Sequence, residues 1–458
     1  MTLRDDTISD PAPAHSVGQE VRITARIGAP VVVTQMGMMA MNLVDTAMVG
    51  PLGAEPLAGV SVAGSVWFLF TSVLLGTVMA LDPMMAQAFG AGRKRRMGRL
   101  LWQGTYLAAL LGLPHTALFL RSAWLWRLLG QSPGVVAHAD AYAAWLAPSI
   151  VPFLAFAAGR SFLNGLGRTR PAMWIALGAN LLNLLADQLF IYGAFGLPGL
   201  GVAGAGLATT VVRLAMWAAL LWVILQPRYR PFEVRPGPIE WPSCGRIVRF
   251  GLPIGLQMAA EVGAFSGAAV LAGWIGPQAQ AAHQIALSLA SFTFMMPLGL
   301  SMAASVRVGQ EVGARRLDAA ARAGWVALGL GAAIMGGSAL VFVLAPEALV
   351  ALFRPEPGVG ALAIRLVRIA AVFQIADGLQ IVAQGCLRGG GDTRTPLLAN
   401  LVSHWLLGLP LAYLLAFPAG YGVVGIWYAF CGGLSAAALL LVGLFAFGPW
   451  RARAPLVA

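Results

Sequence analysis

Charge is what this sequence has least of. Only 10% of its 458 residues are Asp, Glu, Lys or Arg, against about 25% in an ordinary soluble domain. So few charges cannot cover a water-facing surface of this size, which excludes a soluble enzyme. Lysine is scarcer still, Lys94 being the only one. A Walker A loop needs Lys after Gly and before Ser or Thr. Lys94 stands between Arg93 and Arg95, so an ATP motor within the chain is excluded. The three cysteines, Cys244, Cys386 and Cys431, are widely spaced and give neither a disulfide framework nor a zinc spacing. The five histidines form no HExxH and no GxSxG is present, so the chain carries no signature of a metalloprotease or hydrolase. It is expected to be no enzyme, and to need no cofactor.

What is present is apolar: 59% of the residues are hydrophobic, and the mean hydropathy is +0.77. A membrane span needs roughly 20 apolar residues. Twelve runs qualify, near 26–50, 57–82, 99–120, 137–159, 172–193, 200–225, 249–273, 279–305, 322–345, 361–387, 396–417 and 421–446. The first run is too long for a cleaved signal peptide. The net charge of +12 then becomes a topology label, because basic residues gather in the cytoplasmic loops of polytopic membrane proteins. Of the 30, 24 fall in the N-terminal segment, the even-numbered loops and the tail; Arg4, Lys94, Arg160, Arg307, Arg388 and Arg453 are examples. Five lie on the other side and Arg213 lies within a span. Both termini are therefore expected in the cytoplasm, and no nucleic-acid partner is implied.

The second half repeats the first. At a shift of 223, Arg26-Ile27-Gly28-Ala29-Pro30 meets Arg249-Phe250-Gly251-Leu252-Pro253, and Gln87, Gly90 and Arg93 meet Gln310, Gly313 and Arg316. At 224, Leu163, Gly165, Gly167, Thr169 and Arg170 meet Leu387, Gly389, Gly391, Thr393 and Arg394. Each copy holds six spans, an even number, so the copies share orientation and their pseudo-two-fold axis lies along the membrane normal. Parallel repeats of this kind mark secondary transporters. The expected fold is thus an all-α polytopic membrane protein: twelve transmembrane helices in two six-helix lobes. Its expected divisions are an N-terminal segment 1–25, a first lobe 26–225, a polar Pro-rich linker 226–247, a second lobe 248–447 and a tail 448–458.

Four acids lie well inside spans, where ionisable groups are costly and usually functional. At 1.5 Å per residue, Asp45 is roughly 28 Å of helix beyond Arg26, and Asp187 roughly 26 Å beyond Arg170. Glu261 is roughly 18 Å beyond Arg249, and Asp377 roughly 17 Å from Arg388. The four form two pairs, one per lobe. Asn183 precedes Asp187 by one helical turn and shares its face. Carboxylate and amide oxygens suit a small hard cation, and a desolvated carboxylate can carry a proton instead; a buried acid paired only for packing is the plainer alternative. Asp82, beside Pro83, reads as a cap or loop residue. Arg213 is expected to pair with a first-lobe acid or to snorkel. His404, roughly 15 Å deep, reads as a neutral hydrogen-bonded histidine or a proton-relay member. Gln284, Phe292, Phe294 and Met295 suit a pocket for large apolar cations and suit core packing equally.

Asp45 within MNLVDTAMVG, the run AAHQIALSLASF from Ala281 and LRGGGDTRTP from Leu387 resemble the multidrug and toxic compound extrusion (MATE) transporters over residues 20 to 447, with Ala281 to Gly313 closest to the NorM-like branch. The resemblance implies that Asp45, Asn183 and Asp187 match a first-lobe cation site, and Glu261 and Asp377 a second-lobe site. NorM-like members often carry an amide where this chain has Asp187, which leaves Na⁺ and H⁺ both open as coupling ion. It further implies export of amphipathic, often cationic drugs by alternating access, by a monomer among the lipids of the inner membrane. The alternative is a lipid-linked oligosaccharide flippase of the same superfamily. That function is expected to need several basic residues in the central cavity, where the sequence offers only Arg213.

Overall fold

The computed structural model describes residues 16–193, 196, 198–452, 455 and 456. Arg4, Arg453 and most of the expected N-terminal segment lie outside them. The described chain is all-helical. The twelve spans are α1 (Val17–Val49), α2 (Ala54–Gly90), α3 (Lys94–Phe119), α4 (Pro133–Gly165), α5 (Arg170–Tyr192) and α6 (Val202–Ile224) in the first lobe. The second lobe holds α7 (Trp241–Ile275), α8 (Pro277–Gly313), α9 (Leu317–Leu344), α10 (Pro357–Gly389), α11 (Arg394–Ala416) and α12 (Val423–Phe447). Among the described residues, eleven helices are long and apolar enough to cross a membrane. The twelfth, α3, has the length at 26 residues but carries basic residues at its start and Gln103, Pro114 and His115 within its apolar stretch. Exposed Trp124, Trp222, Trp241 and Trp274 near helix ends suit the two membrane–water interfaces.

Several helices run beyond their apolar stretches. α1 starts at Val17, not residue 26, with Ser16 and Gln19 closing a capping box that satisfies its first amides. α7 starts at Trp241, not 249, and α8 continues to Gly313. The expected linker is thereby shortened, and it packs on the first lobe: Tyr106 donates to the Gly237 carbonyl at 2.9 Å and Gln103 to that of Pro238 at 2.9 Å.

The repeat in the sequence is a repeat in space. Six-residue helices occupy Ala123–Leu128 and Pro346–Ala351, again 223 apart. The two lobes meet along α1 with α8 and α2 with α7, pairings that the repeat exchanges. Glycines set the spacing. A Cβ on Gly76 would collide with Gly255 Cα, and one on Gly299 would lie 2.7 Å from Val32 Cα. These two contacts are repeat equivalents, as are Gly251 against Thr77 and Gly28 against Leu300. Deeper still, a Cβ on Gly90 would run into the Gln310 carbonyl oxygen, and one on Gly313 into that of Gln87. Except at Gly28, where the nearest atom lies 3.4 Å from the added carbon, only hydrogen fits at such separations.

All of these contacts lie in the half of the molecule that ends in the arginine-rich loops. There, residues 301–313 of α8 are buried throughout, whereas residues 277–296 alternate with partly exposed positions. The lobes are thus sealed on the arginine-rich face, and the cleft between them opens on the opposite face. Charge reinforces the seal. Arg307 of α8 donates from Nε and Nη2 to both oxygens of Glu20 of α1 at 2.8 Å, and also to Glu311 at 2.9 Å, while Arg316 holds the other Glu311 oxygen at 2.8 Å. Arg160, Arg307 and Arg388, counted in the sequence as loop markers, are in fact buried, Arg307 and Arg388 at this seam and Arg160 within the first lobe. Proximity in sequence to a loop had placed them there, and buried acid or amide partners explain why they are tolerated inside.

Candidate cation sites and the cleft between the lobes

In the first lobe, Asp45 on α1 and Asn183 and Asp187 on α5 come together. The Asn183 amide nitrogen donates to Asp45 Oδ1 at 2.5 Å and to Asp187 Oδ2 at 2.8 Å, so one amide clamps two carboxylates. Thr209 of α6 donates to Asp45 Oδ2 at 3.3 Å. All four residues are buried. Asn183 Oδ1 and Asp187 Oδ1 accept no hydrogen bond from the described residues. Orphaned buried oxygens are rare, and an all-oxygen set of this kind fits a small hard cation. α5 widens into a π-helical turn over Gln188–Tyr192, directly after Asp187, a distortion frequent at functional sites.

In the second lobe, Gln380 of α10 bridges the two acids, donating to Glu261 Oε1 at 3.2 Å and Asp377 Oδ1 at 3.3 Å. Asn400 of α11 reaches Glu261 Oε2 at 3.5 Å, and α11 becomes π-helical over Leu401–Gly408, directly after Asn400. Each lobe therefore holds a pair of carboxylates joined by an amide, as the span depths suggested. In both, two like charges share a poorly solvated pocket, and a bound cation or proton relieves their repulsion. Among the described residues no group of three His, Cys, Asp or Glu converges, so the ligand sets mix acids with amides and hydroxyls. Thr209, Gln380 and Asn400 were missed in the sequence. Their signal was available: each is a hydrogen-bonding side chain within a mainly apolar span, Gln380 three residues from Asp377, and Thr209 and Asn400 beside other polar residues.

Two other expectations change, and His404 keeps its hydrogen-bonded reading. Asp82 is neither cap nor loop; it is buried within α2 and accepts from Asn164 of α4 at 3.4 Å. Its neighbour Pro83 occupies the first turn after a break at Ala80, where the missing N–H costs nothing. Among the described residues Arg213 makes no direct ion pair, and its guanidinium is held by aromatic rings and a hydroxyl. It lies 4.5 Å from the ring centroids of both Trp67 and Phe153 and donates to Ser149 at 2.9 Å. His404 is buried, with Nδ1 3.1 Å from the Asn400 carbonyl.

Of the pocket candidates, Gln284, Phe292 and Met295 fall on one stripe of α8 with Ser288 and Gly299, at intervals of four, four, three and four residues, which stack on a helix. Gly299 touches Val32 of the first lobe, so the stripe above it faces the cleft. Phe292 is 50% exposed. Phe294 lies on a different face, packed against the second-lobe core around Leu300 and Val382. It is a packing residue.

Comparison with known proteins agrees with this architecture. The MatE family profile matches residues 30–189 and 253–414, two segments that begin 223 positions apart. A probable multidrug resistance protein NorM of Bradyrhizobium diazoefficiens is 38% identical over 438 residues, covering 94% of each chain. The multidrug resistance protein NorM of Burkholderia vietnamiensis is 37% identical over 441 residues, covering 95% of each. Among solved structures, the eukaryotic MATE transporter AtDTX14 superposes with a TM-score of 0.87 at 23% identity, over 95% of this chain and 97% of that one. The Vibrio cholerae MATE transporter VcmN in its bent form gives 0.83 at 21% identity, over 95% and 99%. With its two repeated lobes, its paired intramembrane acids and this similarity over nearly its full length, the chain belongs to the MatE family.

Proposed function

We propose that the protein is a cation-coupled antiporter that exports amphipathic, often cationic drugs by alternating access. The observation that carries this reading is the pair of intramembrane carboxylates in each lobe, each joined by an amide. Such pairs are costly in a membrane unless they serve transport. The relatives named as multidrug resistance proteins support the drug as cargo. The arginine-rich face is read as cytoplasmic, with both termini on that side and the cleft opening outward. Na⁺ or H⁺ enters from the cleft, occupies the acids and is carried inward. The drug approaches from the cytoplasm when the seam is open, and leaves through the cleft. Gln284, Phe292 and Met295 offer it an amide, an aromatic face and a polarizable sulfur. A ligand shifts the balance of two packings only by its differential affinity for them, so drug and cation need only favour opposite packings.

The flippase alternative gains Arg160 and Arg388, which the sequence had placed outside the cavity. Both are engaged: Arg160 donates to Gln35 at 3.0 Å and Arg388 to Gln257 at 3.1 Å. That leaves drug antiport the better supported reading. Exchanging Asp377 for Asn is expected to abolish extrusion of an ethidium-like dye from cells at unchanged expression. Undiminished efflux would remove Asp377 from the coupling site.

A further inference from the structure

A line of hydrogen bonds leaves the second-lobe acids and ends at the lobe boundary. Gln380, which touches both acids, accepts from Gln384 Nε2 at 3.1 Å. Gln384 Oε1 in turn accepts from Arg388 Nη2 at 3.3 Å, and the same nitrogen donates to Gln257 Oε1 at 3.1 Å. Gln380, Gln384 and Arg388 stand one turn apart on α10, and Gln257 stands one turn before Glu261 on α7. All four are buried.

Arg388 also lines a small cavity on the boundary itself, together with Met79, Asp82, Met302 and Ser305. Met79 and Met302 are 223 apart, as are Asp82 and Ser305, so the cavity sits on the pseudo-two-fold axis. Asp82 belongs to the first lobe and Arg388 to the second. The guanidinium is thus linked through Gln384 and Gln380 to Glu261 in its own lobe, and it lines one cavity with Asp82 across the boundary. Asn164 of α4 donates to Asp82 from the first-lobe side at 3.4 Å. Arg388 Nε and Ser305 Oγ have no hydrogen-bond partner among the described residues, so the guanidinium has a donor to spare toward the boundary.

Two acids compete for one arginine. We propose that Arg388 is a positioning residue that transmits occupancy of the second-lobe cation site to the lobe boundary. With the site empty, Glu261 draws Arg388 toward its own lobe. A cation held by Glu261 and Asp377 cancels that attraction, and Arg388 turns to Asp82, strengthening the closure of the arginine-rich face and holding the cleft open on the other. The inference rests on the reading of Glu261 and Asp377 as a cation site.

Spin labels on Leu128→Cys and Leu352→Cys, at the ends of the two six-residue helices and each 75% exposed, report the cleft when the three native cysteines are replaced by alanine. Double electron–electron resonance is recorded on the full chain in lipid nanodiscs, with Na⁺ added at fixed pH and, separately, with pH lowered without Na⁺. In the otherwise unaltered protein one of these cations should raise the long-distance fraction several-fold. In Arg388→Gln and in Asp82→Asn the fraction should no longer respond. Arg388→Lys, which keeps the charge, should respond in part, and this graded rescue separates positioning from a general structural role. Arg388→Gln and Asp82→Asn both responding like the parent would overturn the relay alone. A parent that responds to neither cation would overturn the reading of the second-lobe acids, and the relay with it.

Discussion

One amide nitrogen at Asn183 serves both Asp45 and Asp187, so the geometry of the first-lobe site hangs on a single side chain. Asn183→Leu removes both donors and the amide oxygen at once. Hydrogen bonds to charged groups contribute about 1.5–3 kcal/mol each, and 1.4 kcal/mol corresponds to about a factor of ten. Dye extrusion is therefore predicted to fall at least about tenfold, measured in cells with expression matched by immunoblot. Residue scale also exposes a small cost in the second lobe. Gly92 turns the chain between α2 and α3 at φ 70°, and its repeat equivalent is Arg315, at φ 60°. A side chain in that left-handed region costs roughly 1 kcal/mol. Arg315→Gly is expected to raise the thermal unfolding midpoint in detergent by a few degrees, with dye extrusion unchanged.

At the scale of the helices, the lobe boundary follows from glycines that recur at the repeat interval. Gly76→Leu would drive a side chain into Gly255 of α7. The α2–α7 contact is then predicted to part on the arginine-rich side, and a cysteine placed at buried Ser305 should react faster with a maleimide added from that side. Reactivity equal to the Ser305→Cys parent would show that the glycine contact does not hold the seam. These glycines could be read in the sequence as repeated letters, since Gly28 meets Gly251 and Gly90 meets Gly313, but their role as spacers could not. Hydropathy likewise located all twelve spans and missed their ends. α1 begins nine residues early because Glu20, which hydropathy counts as a loop residue, is buried against Arg307. The same blindness hid Asp82, Arg160 and Arg388: a charge near a loop and a charge folded into a seam look alike in one dimension. The two acid pairs were legible because helical rise converts position into depth. Phe294 stayed open between pocket and core because a drug-facing aromatic and a core aromatic differ only by which helix face they occupy.

For the whole molecule, the scarcity of charge and the placement of charge are one property. Basic residues crowd one face, a few ion pairs close the seam beneath them, and two pairs of acids remain deep in the lobes, with the cleft open on the far side. The closed seam and the acids belong to one cycle if cation occupancy of the acids biases which face is sealed. The most direct test is transport by the purified protein in proteoliposomes, with Na⁺ and H⁺ gradients imposed and collapsed one at a time. Uphill movement of an ethidium-like dye is predicted to require one of the two gradients, and to be lost in the Asp45→Asn, Asp377→Asn double variant. Uphill dye movement that persists at full rate with both gradients collapsed, or in that double variant, would contradict the account.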